Sequence, residues 1–405
     1  MAKKKDLFTV TKERAIEHAV MTYRRAWAGQ LADFDKWADA EIDPEAITLY
    51  DINDEPLFYE FVVMSGKIQL GRLKVSATKR LGASVATVEF GPRPYDAEKA
   101  SREASKKAKT KFPKATIEQT KLVCYSYPKI GVRVNLKEAG RPIRSLIFDV
   151  VDGIMVDRFG ADELEGMTAW SFLDSLTPRQ QEDRIKLWDL RDEEVDAARS
   201  MTPKLFDRGF TRKDAEKLKA SFVLDSVFVI PFYSQKVLKF GPRCNTHDCF
   251  ELYAQQTNVY CAVATGQMIL DFYRYHYSQD AIATAMSTGA SGTTNPNQVS
   301  GYQSLSNNCL TATYDSTADW VEAKAEIDAN RPVKSGVPGH ARACAGWKRQ
   351  NIFLIGQPPK RWLRIYDPWP WNADICSGGQ IYWEDWDLKT HTNFIYVRHR
   401  STACS

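Results

Sequence analysis

Gln255-Gln256-Thr257-Asn258-Val259-Tyr260-Cys261-Ala262-Val263-Ala264-Thr265-Gly266-Gln267-Met268-Ile269-Leu270 is a polar stretch that runs straight into an apolar one, with a cysteine at the junction. The change reads as a loop entering a helix, with Asn258 as N-cap and Cys261 at the third helical position. Val263, Ala264, Met268, Ile269, Leu270, Phe272 and Tyr273 fall on nearly every side, so the helix is expected inside a domain core, its start opening into a cleft. A thiol in a first helical turn feels the partial positive charge of unpaired backbone N–H groups, which favours the thiolate. A cysteine on an apolar helix is ordinarily inert packing. Reading Cys261 as a nucleophile therefore depends on what accompanies it.

A thiolate nucleophile needs a base for its proton, a group that orients the base, and a donor for the oxyanion. Downstream lie Gly339-His340-Ala341-Arg342-Ala343-Cys344-Ala345-Gly346-Trp347 and Trp362-Leu363-Arg364-Ile365-Tyr366-Asp367-Pro368-Trp369, both strand-like. Gly356-Gln357-Pro358-Pro359 supplies the turn between them. Direct pairing of His340 with Asp367 would centre the turn too early, so a bulge or a longer loop is required. With that allowance the imidazole and the carboxylate lie side by side. Gln255, six residues before Cys261, can turn its amide into the same cleft as oxyanion donor.

The order Gln, Cys, His, Asp, with Gln-x5-Cys at a loop-to-helix junction, Gly-His-Ala before a strand and Tyr-Asp-Pro closing the next, resembles the papain-like cysteine peptidases. It is most similar to their compact C39-like branch, because Cys261 and His340 are only 79 residues apart. The resemblance covers about residues 227 to 397, beginning at Val229-Ile230-Pro231-Phe232-Tyr233-Ser234-Gln235. Ala262 departs from the Gly or Trp that often follows the cysteine in that family, which concerns the local backbone and not the thiol. The resemblance implies an α+β fold with a central helix packed on an antiparallel sheet. It implies catalytic roles for Cys261, His340, Asp367 and Gln255, and it requires neither cofactor nor metal.

The 405 residues exceed one typical domain and leave ample chain for two or three cores. Hydrophobic content of 43% with 26% charged residues fits a folded enzyme, and no apolar run is long enough for a membrane span. A net charge of +4 does not argue for nucleic acid; Lys106, Lys107, Lys109, Lys111 and Lys114 read as a solvated helix face. Met1-Ala2-Lys3-Lys4-Lys5 begins like a signal peptide, but charged residues follow where an apolar segment belongs. Against that, seven of the eight cysteines fall in the last 162 residues, which suits a secreted form. Cys244 and Cys249 are spaced for a small disulfide loop. With His247 between them they fall short of the four ligands of a structural zinc site.

Residues 1–160 read as an α+β domain: an amphipathic helix over 12–28, then strands at 47–50, 57–64, 67–76 and 82–90, and a second meander from Leu122 to Val156. This layout is similar in arrangement to pro-domains that precede some papain-like peptidases. From Ala161 to about Phe222 the chain reads as a charged helical connector, with helix starts at Thr177-Pro178 and Thr211. A peptidase domain over 223–405 completes the division. Within it Asp280–Asn308 is expected to be a loop over the cleft, Pro368-Trp369-Pro370-Trp371 an aromatic wall joined by Tyr382, Trp383 and Trp386, and Lys236–Phe240 an exposed, cuttable loop.

The reading is a thiol peptidase acting on peptide or protein substrates, made as a zymogen whose N-terminal domain is an intramolecular inhibitor. Two alternatives share the residues: another thiol acyl transfer, such as a deamidase or transglutaminase-like reaction, and a binding protein on a catalytically dead fold.

Overall fold

The computed structural model describes residues 8–29, 31, 33–160, 164–220, 233–239, 250–350 and 358–400. The chain opens with α1 (Lys12–Ala28), capped by the Thr11 hydroxyl on the Arg14 N–H, and buries Ala15, Ala19, Tyr23 and Trp27 as their four-residue spacing predicts. Strands β1 (Glu41–Ile42), β2 (Ile47–Asp51), β3 (Pro56–Ser65), β4 (Ile68–Ser76) and β5 (Val85–Phe90) follow, then α2 (Ala97–Lys111). A second meander comprises β6 (Thr116–Ser126), β7 (Lys129–Glu138), β8 (Arg141–Asp149) and the short β9 (Met155–Val156). Helices α3 (Pro178–Met201) and α4 (Arg212–Ala220) lead to β10 (Tyr233–Val237).

The rest of the chain comprises α5 (Cys261–Phe272), α6 (Gln279–Ala285), α7 (Asn295–Leu305), β11 (Leu310–Asp315), α8 (Trp320–Asp328), β12 (Val333–Val337), β13 (His340–Gln350), β14 (Arg361–Asp367), β15 (Gln380–Asp385) and β16 (Asn393–His399). Its strands run in the order β11-β16-β12-β13-β14-β15, all antiparallel. Helix α5 packs on β13 and β12. This is the α+β arrangement of a central helix on an antiparallel sheet. The bulge required between the two central strands is present, between Cys344 and Gly346 of β13 where it pairs with β14. The turn at Gly356–Pro359 begins outside the described residues, as do Cys244, His247 and Cys249.

The two runs of strands meet at their edges. Tyr382, Trp383 and Glu384 of β15 pair with Glu89, Val88 and Thr87 of β5, so one sheet crosses the chain. Helix α3 fastens the same junction. Its Arg184 donates to the carbonyls of Leu81 and Leu388, and its Arg191 to Pro358 and Asp387. Buried guanidinium groups spread over several acceptors satisfy donors that would otherwise be costly.

Several expectations need correction. Residues 164–176 contain no regular helix, and α3 starts only at Pro178, where a Thr177–Gln180 capping box forms. The segment 280–308 is not a loop but carries most of α6 and all of α7, because Ser278 and Thr294 cap them and their apolar residues join the core under α5. Lys236 and Val237 sit in β10 opposite Trp347 and Gly346, and the Leu238 N–H donates to Ala345, so residues 236–238 are held to the sheet rather than forming a free loop, while Phe240 lies outside the described residues. Trp369 is buried in the core beneath the N-terminal meander and the Trp371 indole donates to Asp152, so the Pro-Trp-Pro-Trp segment faces the N-terminal strands.

Candidate active site

Helix α5 begins at Cys261 itself, with Tyr260 as N-cap and no side-chain cap. Asn258 does not cap it; its amide donates to the Met167 sulfur at 3.5 Å. Cys261 therefore occupies the first helical position, where the backbone N–H has no acceptor inside the helix. The thiol packs against Ala341, the residue after His340 on β13, and the Ala341 N–H donates toward it.

His340 and Asp367 are brought together as the strand spacing predicts. The imidazole Nε2 lies 2.7 Å from Asp367 Oδ1, with both side chains fully buried. A carboxylate acceptor at Nε2 holds the proton there and leaves the lone pair on Nδ1. Nδ1 has no hydrogen-bond partner among the described residues. Asp367 is held in turn by the Trp369 N–H at 2.9 Å on Oδ1 and the Tyr382 hydroxyl at 2.9 Å on Oδ2. Tyr382 accepts from Arg342 at 2.9 Å, and Arg342 pairs with Glu384 at 2.5 Å. Glu384 also accepts from Tyr127 of the N-terminal meander at 2.9 Å, so the chain behind the imidazole reaches across the β5–β15 junction.

Gln255 is buried on the loop before α5. Its amide nitrogen donates to Thr257 O at 2.7 Å, its backbone N–H donates to Pro368 O and its carbonyl accepts from Asn372. One amide N–H thus holds the loop and the second is available to another acceptor.

Cys261 is covered, and the cover comes from this chain. Residues 164–170 run past the start of β13 as a strap. Glu165 exchanges two backbone hydrogen bonds with Thr293, and the Gly166 N–H donates to Gly339 O at 3.2 Å, next to His340. The Trp170 indole donates to Pro338 O at 3.1 Å. Buried Lys129 of β7 donates to Gly166 O at 2.6 Å and to Gly339 O at 3.1 Å. A Cβ on Gly166 would lie 2.1 Å from Ser291 O, so only glycine allows so close a backbone approach.

Burial governs the electrostatics of this covered state. It raises the Cys261 thiol pKa, against the downward pull of Lys129 and of the Ala341 and Ala262 N–H groups. It lowers His340 to about 4, against the upward pull of Asp367. Thiol and imidazole are both neutral near pH 7 in the covered chain. Lys129 and Glu165 carried no sequence signal, and Tyr382 was legible only as part of an aromatic wall, since each acts through a neighbour that folding brings to it.

Residues 247–384 match the model of the Peptidase_C39 like family. The C-terminal region is a C39-like, papain-like cysteine peptidase fold. It is similar to the peptidase domain of Streptococcus ComA, a bi-functional ABC transporter involved in a quorum-sensing pathway: 14% identity over 37% of this chain and 99% of that one, TM-score 0.28. It is also similar to a double-glycine-motif protease from an AMS/PCAT transporter, solved with its leader peptide: 12% identity over 40% of this chain and 98% of that one, TM-score 0.27. No curated protein matches the chain. Among the described residues no helix is long and apolar enough to cross a membrane, and Cys309 and Cys376 are disulfide-bonded while Cys124, Cys261 and Cys344 are free.

Proposed function

We propose that the chain is a cysteine peptidase that uses Cys261, His340, Asp367 and Gln255, and that it is made in a closed, zymogen form. The observation that carries this reading is the imidazole of His340. It is bound on one nitrogen by Asp367 and unpartnered on the other, on a strand whose next residue touches Cys261.

In the reaction Nδ1 of His340 takes the thiol proton and the Cys261 sulfur attacks the peptide carbonyl. The oxyanion that develops accepts from the unpaired Cys261 N–H and from the second amide N–H of Gln255. His340 returns its proton to the leaving amine, and then draws a proton from the water that hydrolyses the thioester. Asp367 keeps the ring in the tautomer that leaves Nδ1 basic, and Tyr382 keeps Asp367 in place.

Such a cycle needs a thiolate–imidazolium pair, which the covered state disfavours because neither charge is solvated there. The N-terminal division 1–160 and the segment 161–222 contribute Lys129 and the strap to that cover, which supports assigning them an inhibitory role over the peptidase division 223–405. A segment in the same chain acts at high effective concentration, so modest docking suffices. The test is to incubate purified full-length protein beside its Cys261→Ala variant and to follow mass and peptidase activity. Shortening and gain of activity in the wild type alone supports the reading. Full activity in a chain that never shortens removes the zymogen claim, and hydrolysis by Cys261→Ala removes the nucleophile.

A further inference from the structure

Beside the proposed nucleophile lies a cation that the mechanism above does not use. Lys334 on β12 is fully buried, and its ammonium donates to Asn295 Oδ1 at 2.8 Å, to Asn393 Oδ1 at 2.7 Å and to the carboxylate of Glu165. The two amides belong to the peptidase region, as Lys334 does. The carboxylate is brought by the strap. Glu165 is itself buried, and its other oxygen accepts from Gln298 at 2.6 Å. Tyr302, whose hydroxyl is buried without a partner among the described residues, lies close enough to feel the Glu165 charge.

Two neutral amide oxygens hydrogen-bond an ammonium without balancing its charge, and a buried unbalanced cation is costly. Once the strap leaves, the pocket formed by Lys334, Asn295, Gln298 and Asn393 therefore wants an anion. The backbone of the strap shows how one would be delivered. Glu165 is held by paired N–H and C=O bonds to Thr293, as an extended peptide is held when it adds to a strand edge, and Gly166 reaches the Gly339 carbonyl beside His340. A peptide laid along Thr293 and Gly339 places one side chain over Lys334 and the following residues at the thiol.

We propose that the Lys334 pocket is the specificity subsite of this enzyme, that it selects an aspartate or glutamate in the peptide substrate, and that Glu165 occupies it in the intact chain. The proposal rests on the peptidase reading above. A site whose buried charge is left unpaired by the wrong side chain discriminates more sharply than an apolar pocket does. A charge-assisted bond of this kind predicts a preference of about 10- to 100-fold for Glu over Gln.

The test uses the full-length Glu165→Ala protein, in which the pocket is emptied, and the heptapeptide of residues 164–170 with Glu, Asp, Gln or Leu at its second position. Binding is measured by fluorescence polarisation on the Glu165→Ala/Cys261→Ala chain, and cleavage is mapped on a peptide digest with the Cys261 chain. The expected result is 10- to 100-fold tighter binding of the Glu and Asp peptides than of the Gln peptide, enrichment of acidic residues at one position relative to the cut bonds, and loss of both in a Lys334→Met background. Equal binding of the Glu and Gln peptides overturns the proposal whatever happens to cleavage, and that comparison needs no variant of Lys334 to fold. Acidic preference in binding with no cleavage of any peptide, in a Glu165→Ala chain whose Cys261 is shown to be open by iodoacetamide alkylation, leaves the subsite standing and removes the peptidase reading. Cleavage without acidic enrichment does the reverse.

Discussion

Glu165→Gln removes the charge that the strap presents to Lys334 while keeping size and an acceptor oxygen. In the closed chain the Lys334 ammonium would then keep only Asn295, Asn393 and the new amide, all neutral. When the strap lifts, water reaches Lys334, so the unbalanced charge weighs mainly on the closed state. Breaking one side of a fully buried ion pair costs about 3–5 kcal/mol; with two good acceptors remaining, about 3 kcal/mol is the fitting figure. At 1.36 kcal/mol per factor of ten, that shifts the closed-to-open equilibrium by about 150-fold. Cys261 is inaccessible when closed, so its alkylation by iodoacetamide at pH 7 tracks the open population. The expected outcome is a rise of about two orders of magnitude in the Cys261 alkylation rate, read by mass spectrometry residue by residue. Cys124 and Cys344 are also buried free thiols; Cys344, whose thiol donates to Gly346 O within β13, serves as the reference, while Cys124 adjoins Tyr125, whose carbonyl accepts from Trp170 of the strap. An unchanged Cys261 rate in a folded variant refutes the reasoning. So does an equal rise at all three cysteines, which would mean global destabilisation rather than opening.

Four further outcomes are expected. Cys261→Ala should abolish hydrolysis yet leave the thermal unfolding midpoint close to wild type, since one small buried side chain replaces another. Asp367→Asn should lower kcat less than His340→Ala, because an amide still accepts from Nε2; equal losses in folded variants would assign Asp367 a larger electrostatic role. Arg342→Met should destabilise by about 3–5 kcal/mol in urea unfolding, as Glu384 loses its closest cation in a fully buried network; a shift under 1 kcal/mol would show that Tyr127, Thr390 and His391 suffice for Glu384. Burial depresses His340 from the ordinary value near 6.5 to about 4. The unfolded chain therefore binds the extra proton first, and stability present above about pH 6.5 is lost as pH falls toward 4, by up to about 3 kcal/mol for this residue. A His340→Gln variant should flatten that part of the stability profile, and an unaltered slope would place the titration elsewhere.

Local pattern sufficed wherever the determining interactions are close in sequence. The four-residue spacing of Ala15, Ala19, Tyr23 and Trp27 fixes one face of α1, and the alternation and turns of residues 47–90 fix a meander, because these periods are properties of backbone geometry. The adjacency of His340 and Asp367 was legible for the same reason: two consecutive antiparallel strands bring their far ends together, and the needed bulge sits at Cys344–Gly346. Local reading failed where capping and burial compete with composition. The polar run 280–308 looked like a loop, yet Ser278 and Thr294 nucleate helices whose few apolar residues, Ile282 and Tyr302 among them, are enough to anchor them under α5. Asn258 looked like the N-cap of α5, but its side chain is drawn to Met167 of the strap.

The sequence by itself thus determined the first helix and the strand meanders, the order of the peptidase-like residues and the pairing of imidazole with carboxylate. Only the tertiary structure decided that Cys261 is covered, that Lys129 and Glu165 from the N-terminal half reach its cleft, and that Tyr127, Arg342, Glu384 and Tyr382 stand behind Asp367. The reason is physical. These contacts join residues separated by 15 to 257 positions, three of the five by 40 or more. They form because a buried ammonium or carboxylate must find a partner wherever the fold brings one, a demand that leaves no period or spacing in the chain.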